Sequence, residues 1–160
     1  MTYTIVVQNA AKGITIPNPK ELKQWAKTAL KGKISSAEVT LRIVDKNESR
    51  ELNHTYRKKN KPTNVLSFPF DMPKDIDMDI PILGDIAICA EIVAKEAAEQ
   101  NKPEKAHWAH MVIHGILHLL GFDHENDQDA DIMEQEETVI LNSLGFPDPY
   151  KINEKVKHHE

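Results

Sequence analysis

Cysteine is nearly missing: Cys89 is the one thiol in 160 residues. It cannot form an internal disulfide, which removes the small disulfide-stapled class, and it cannot supply the thiolate-rich cage of a closed structural zinc site. An excess of positive charge is missing too. Lys and Arg number 20 against 25 Asp and Glu, for a formal net charge of −5 and a pI near 5.9. Nothing therefore draws polyanions to the molecule as a whole, and any nucleic-acid contact has to come from a local basic patch. No apolar run is long enough for a membrane span. The start, MTYTIVVQNAAKG, has neither the charged opening nor the apolar stretch of a secretory signal. There is no repeat, linker or low-complexity segment. These absences point to a soluble cytoplasmic protein.

What is present is enough for one sizeable core. At 18.2 kDa and 40% hydrophobic residues the chain is too short for two ordinary domains, so a single domain is expected over residues 1–150. The polar stretch KINEKVKHHE at 151–160 is expected to fray as a tail. Strand-like alternation runs over 3–9, 37–45, 64–70 and 84–89. Helical spacing runs over 18–32, from an Asn-Pro start to a terminal glycine, and over 47–60. From residue 90 the pattern is helical: 90–101, then 103–120, then roughly 127–144. The order β-α-β-α-β-β-α-α-α predicts an α+β domain with a mixed four-stranded sheet and about five helices.

Chemistry is concentrated in residues 114–124, HGILHLLGFDH. On an α-helix, positions four apart lie one above the other, so His114 and His118 share a face and their ring nitrogens can converge on one ion. Gly121 stands where the helix should stop. A glycine tolerates the left-handed conformation of a helix end, and the turn it permits can return His124 to the same point. Three imidazoles leave the fourth position of a tetrahedral zinc open, which is the catalytic arrangement. With 8 His in 160 residues, chance places three at these spacings roughly 0.02 times per chain. One zinc per chain, held by His114, His118 and His124, is the expectation.

The spacing H-x-x-x-H-x-x-G-x-x-H is that of the metzincin peptidases, with a departure. Those enzymes carry Glu after the first His as general base, and here that position is Gly115. A zincin-like metal platform on a C-terminal helix is retained while the peptidase base is lost. A second chemical feature is YRKKNKPTN, which gathers Arg57, Lys58, Lys59 and Lys61 in an otherwise acidic protein. A phosphodiester substrate needs such a patch, and a guanidinium can grip a phosphate bidentately. The competing reading is a solvated helix end whose cations complement the helix dipole.

These motifs together resemble the YbeY family of bacterial rRNA maturation endoribonucleases. The resemblance rests on HGILHLLGFDH preceded by AHWAHMVI, on LNHTYRKKNKPTNVLSFPF at 52–70, on LGDIAIC at 83–89, and on MEQEETVILNSLGFPDPY near the end. It implies a single-strand-specific RNA hydrolase that acts in maturation of the small-subunit rRNA 3′ end and in ribosome quality control. Its implied partners are the small-subunit rRNA precursor and the ribosome, with ribosomal-protein and assembly-GTPase contacts. The family's metal ligands fall on His114, His118 and His124, and its functional arginine on Arg57. Where the family usually reads Thr-Asp-Val-Leu-Ser-Phe this chain has Thr63-Asn64-Val65-Leu66-Ser67-Phe68, so an amide replaces a carboxylate. Two other classes fit the same platform: a zincin-type metallopeptidase, and a non-catalytic ribosome assembly factor with a structural zinc.

The remaining candidates read as support. His107 and His110 lie on the stripe of His114 and His118 and are expected in the core or behind the ligands. Asp123 either orients an imidazole or caps the following helix, and Asp85 either accepts a hydrogen bond from a ligand histidine or faces solvent. Cys89 reads as a small buried apolar residue, and Trp25 and Trp108 as core.

Overall fold

A computed structural model describes residues 2–70, 81–123 and 126–150. The elements follow the predicted order: β1 (Thr2–Asn9), α1 (Pro19–Leu30), β2 (Ser36–Val44), α2 (Lys46–Arg57), β3 (Val65–Pro69), β4 (Ile82–Cys89), α3 (Ala90–Glu99), α4 (Glu104–Leu119) and α5 (Asp127–Ser143). Local chemistry sets the helix starts. Asn18, Asp45 and Asn126 each turn a side-chain oxygen back to accept from an early backbone N–H of α1, α2 and α5, which satisfies donors the helix itself cannot pair. The predicted tail at 151–160 lies outside the described residues.

The sheet order is β1-β2-β4-β3, with β1, β2 and β4 parallel and β3 antiparallel to β4. The sheet is thus mixed, as expected, and β3 is an edge strand. The strict alternation in β2 assigns the two faces. Ala37, Val39, Leu41 and Ile43 are fully buried and join Ile86 and Ile88 of β4 in the main core, against α1, α4 and α5. Each such side chain contributes roughly 1.5–3 kcal/mol on leaving water. The opposite face carries a smaller cluster of Val44, Leu66, Ala87 and Cys89, backed by Leu52 of α2 and Ile92 of α3. Trp25 and Trp108 are core residues and Cys89 is buried, as the pattern predicts.

α4 is the central helix, buried around most of its circumference. It is wedged against the sheet because Gly115 brings the helix close: a Cβ there would lie 2.8 Å from Cγ2 of Ile86. The helix ends at Leu119, and Gly121 follows in the left-handed region with φ 102°. The turn expected from glycine is therefore present. Among the described residues no helix is long and apolar enough to cross a membrane.

Candidate metal centre and cleft

α4 projects His107, His110, His114 and His118 as one stripe, and each position meets a different environment. His118 and His114 face each other at the open end, Nε2 to Nε2 at 3.1 Å. Two imidazole nitrogens sharing one zinc at about 2.0–2.1 Å stand about 3.3 Å apart in a tetrahedral arrangement, so these two rings need little movement to share an ion. His114 is oriented from behind. Its Nδ1 lies 3.0 Å from Oε1 of Glu137, a side chain of α5 that is only 1% exposed. In the tautomer whose Nδ1–H donates to that carboxylate, His114 turns Nε2 to the cleft.

Glu137 is the hub of the buried side. Its Oε2 accepts a short hydrogen bond from Nε2 of His110 and a 2.6 Å bond from the Tyr150 hydroxyl. Burial pushes the Glu137 carboxyl up, but the hydrogen bonds from His110 and His114 outweigh it and hold the group well below the usual carboxylate range. Burial holds the His110 imidazolium pKa below its ordinary value despite that partner, so the pair is a carboxylate and a neutral ring. Tyr150 is pushed up by burial and by the adjacent charge of Glu137. His110, His114 and Glu137 offer ligand atoms within 4.8 Å of one another and could hold a metal ion. Both carboxylate oxygens are already engaged with ring nitrogens, however, which suits Glu137 to orienting imidazoles.

His107 makes a parallel arrangement one turn earlier. Its Nε2 sits 2.9 Å from Oε1 of Glu96, which also accepts from Nδ2 of Asn64 at 3.1 Å. Burial raises the Glu96 pKa, and the bonds from His107 and Asn64 more than offset it, for a net lowering. The amide at position 64 is thus a donor to a carboxylate, a role an ionised Asp could not fill.

His114 and His118 open onto a cavity of about 480 Å³ that Arg57, Asn64, Ser67 and Asp123 also line. Arg57, the last residue of α2, reaches it from a helix tied to the segment before β3. The buried Ser49 hydroxyl donates to Thr63 O at 2.8 Å and accepts from Thr63 N at 2.9 Å, and Asn53 Nδ2 donates to Lys61 O at 2.8 Å. The Ser67 hydroxyl then ties β3 to α4 by donating to Gly115 O at 3.1 Å. The structure therefore brings Arg57, His114, His118 and Asp123 together. His124 lies outside the described residues. Lys58, Lys59 and Lys61 are exposed and do not line this cavity. Asp85 is exposed on the opposite face of the sheet, which excludes it as an acceptor for the stripe. His107 and His110 occupy the supporting positions expected of them.

Comparison with known proteins now bears on this geometry. The family profile described as Endoribonuclease YbeY matches residues 6–145. The chain belongs to the endoribonuclease YbeY family. Curated members similar to it include Endoribonuclease YbeY of Nitrosococcus oceani, 47% identical over 151 residues, covering 94% of this chain and 99% of that protein. Another is Endoribonuclease YbeY of Pseudomonas savastanoi pv. phaseolicola, 51% identical over 148 residues, covering 92% and 89%. The fold is similar to the solution structure of TM1509 from Thermotoga maritima, with a TM-score of 0.59 and 31% identity over 86% of this chain and 87% of that one. Membership in a family of RNA-cleaving hydrolases bears out the resemblance read from the motifs, and with it the expectation of an enzyme. The metzincin departure also acquires a reason. Position 115 packs on Ile86 rather than opening to the cleft, so this platform has no room there for a peptidase glutamate.

Glu137 and Tyr150 escaped the reading of residues one by one. A signal for Glu137 was available: it lies on the same stripe of α5 as Met133, Ile140 and Leu141, and a carboxylate on an apolar stripe needs a buried partner.

Proposed function

We propose that this protein is a zinc-dependent, single-strand-specific endoribonuclease of the cytoplasm that acts on the 3′ end of small-subunit rRNA precursors and in ribosome quality control. The observation that carries the catalytic part is the convergence of two imidazole Nε2 atoms, 3.1 Å apart, in a cavity that also receives a guanidinium. The RNA class and the ribosomal setting rest on kinship with the family. His114, His118 and His124 would hold the metal, with Gly121 supplying the turn between the second and third. Bound there, zinc supplies a Lewis acid toward a phosphate oxygen and activates water.

The protein's own groups do the rest. Glu137 keeps a proton on Nδ1 of His114, so that Nε2 stays a lone-pair donor. Arg57 grips the phosphate and stabilises charge that develops on its oxygens. The buried Ser49 and Asn53 tie α2, which ends in Arg57, to the segment before β3, and so help fix Arg57 opposite the histidines. Lys58 and Lys59, exposed beside Arg57, add diffuse attraction for the backbone.

Metal analysis combined with single-turnover cleavage of a single-stranded RNA spanning the small-subunit 3′ end tests this reading. Wild type should carry about one zinc per chain, and His118→Ala should lose both metal and activity. Arg57→Ala should keep its zinc, bind RNA within a few-fold, and cleave on the order of 100-fold more slowly or worse, because it acts chiefly in the transition state. Lys58→Ala with Lys59→Ala should weaken binding and flatten its salt dependence while leaving the cleavage step nearly intact. Wild-type cleavage by Arg57→Ala, or equal metal in His118→Ala, overturns the mechanism.

A further inference from the structure

The edge strand β3 separates two cavities. Its alternation sends Ser67 toward α4 and the histidines, and Phe68 to the other face of the sheet, where a second cavity of about 320 Å³ lies between α2 and the sheet. The last turn of α2 divides in the same way. Neighbouring helical residues point about 100° apart, and here Arg57 lines the histidine cavity while Tyr56 lines the second one. Tyr56 is 64% exposed, an unusual position for a large ring. It is also held in place: its ring meets that of Phe68 edge-on, with centroids 4.9 Å apart at 62°.

We propose that this second cavity is a nucleobase-binding subsite for RNA whose backbone crosses β3 from Arg57, with Tyr56 as the stacking surface and Asp85 as acceptor for a base amino group. The inference rests on RNA being the substrate, as proposed above, and adds where a base beside the scissile phosphate goes. The polar lining favours a base over a phosphate. Arg42, the one cation among the described residues that line it, is neutralised by Glu48, with Nε to Oε2 at 2.6 Å and Nη2 to Oε1 at 3.0 Å. Asp85 is exposed on the cavity wall. A free carboxylate beside a neutralised arginine repels phosphate oxygens, yet it accepts well from the exocyclic amine of cytosine. An aromatic face adds sequence-tolerant stacking, since every base offers a π-surface. A guanidinium on one side of a strand and a ring on the other thus match the alternation of phosphate and base along a single-stranded chain.

The test uses the zinc-loaded protein and a set of single-stranded RNA oligonucleotides, each with one abasic riboside placed within a few nucleotides of the cleavage site. Binding is read by fluorescence anisotropy, and a 2-aminopurine at the same positions reports stacking. In wild type, one abasic position should weaken binding on the order of tenfold, the scale of one base–aromatic stack. Tyr56→Ala should show that loss with intact RNA and no further loss with the abasic one, while Tyr56→Phe should behave as wild type. The 2-aminopurine at that position should be quenched by wild type and not by Tyr56→Ala. Asp85→Asn should shift preference among bases at that position alone and leave the salt dependence unchanged. If wild type binds and cleaves RNA while Tyr56→Ala is indistinguishable from it, the subsite is wrong and the endoribonuclease reading stands. A wild type that binds no single-stranded RNA overturns that reading, and the subsite with it.

Discussion

Glu137 shows how one side chain converts a row of histidines into a directed donor set. It is buried, accepts from His110, His114 and Tyr150, and is held ionised by those bonds against its own desolvation. Its folded pKa lies below the unfolded value of about 4.3. The stabilisation is therefore fully present above that pH and is lost as pH falls below it toward the folded value. Burial depresses His110 as well, so a ring kept neutral in the fold is charged in the unfolded chain below about pH 6.5, which acts in the same direction. Acid denaturation followed by circular dichroism should show wild type losing stability between about pH 6.5 and 3. Glu137→Gln, less stable at pH 7, should lose less over the interval below pH 5. Glu137→Gln should also bind zinc about 10- to 100-fold more weakly by competition with a chelator, because ring orientation and basicity both depend on the carboxylate. Unchanged zinc affinity would remove Glu137 from the metal centre.

At the scale of elements, the placement of α4 decides what the site can be. A helix can lie this close to β4 only with glycine at position 115, since a Cβ would meet Ile86 Cγ2 at 2.8 Å and that branched side chain is fully buried. Gly115→Ala gains about 1 kcal/mol of helix propensity and costs roughly 1–3 kcal/mol of overpacking. Thermal unfolding should therefore show a net loss of about 1 kcal/mol, or roughly 2–4 °C. The loss should shrink when Ile86→Ala removes the crowding methyl, a coupling that a double-mutant cycle measures. Additive effects would mean that the helix does not press on the sheet at this point. A shift of α4 also moves its tie to β3 through Ser67, and with it the wall of the cleft.

For the whole molecule, the question is how far the fold would depend on the zinc proposed for His114, His118 and His124. The main core runs from Ile5 to Leu141 through the sheet, α1, α4 and α5, and its buried members are apolar side chains, most of them on elements other than the histidine-bearing helix. Such a core does not need an ion to close. Chelation should lower the melting temperature by roughly 5–10 °C, as expected for a tightly bound ligand selective for the native state. Far-ultraviolet circular dichroism at 25 °C should change little. Collapse of the helical signal on chelation would instead mark a structural zinc, in the manner of small metal-dependent domains.

Periodicity and punctuation were enough for the order of the elements, because several starts and stops are local chemistry: Pro19 after a capping Asn18, Asp45 before α2, Gly121 after α4. They were also enough for the shared face of His114 and His118, which follows from a spacing of four on a helix. The sequence could not decide which carboxylate stands behind which imidazole. Asp85 and Glu137 are equally acidic as letters, and only the packing of α5 against α4 puts Glu137 behind the rings and leaves Asp85 on the far side of the sheet. Nor could it tell that Tyr56 and Arg57, adjacent in the chain, face different cavities. That separation is made by an edge strand whose partner, β4, begins after 12 intervening positions, 70–81. Local signals act over one or two turns of backbone, whereas a cleft is assembled from segments brought together by burial of the core, and burial is a property of the whole chain.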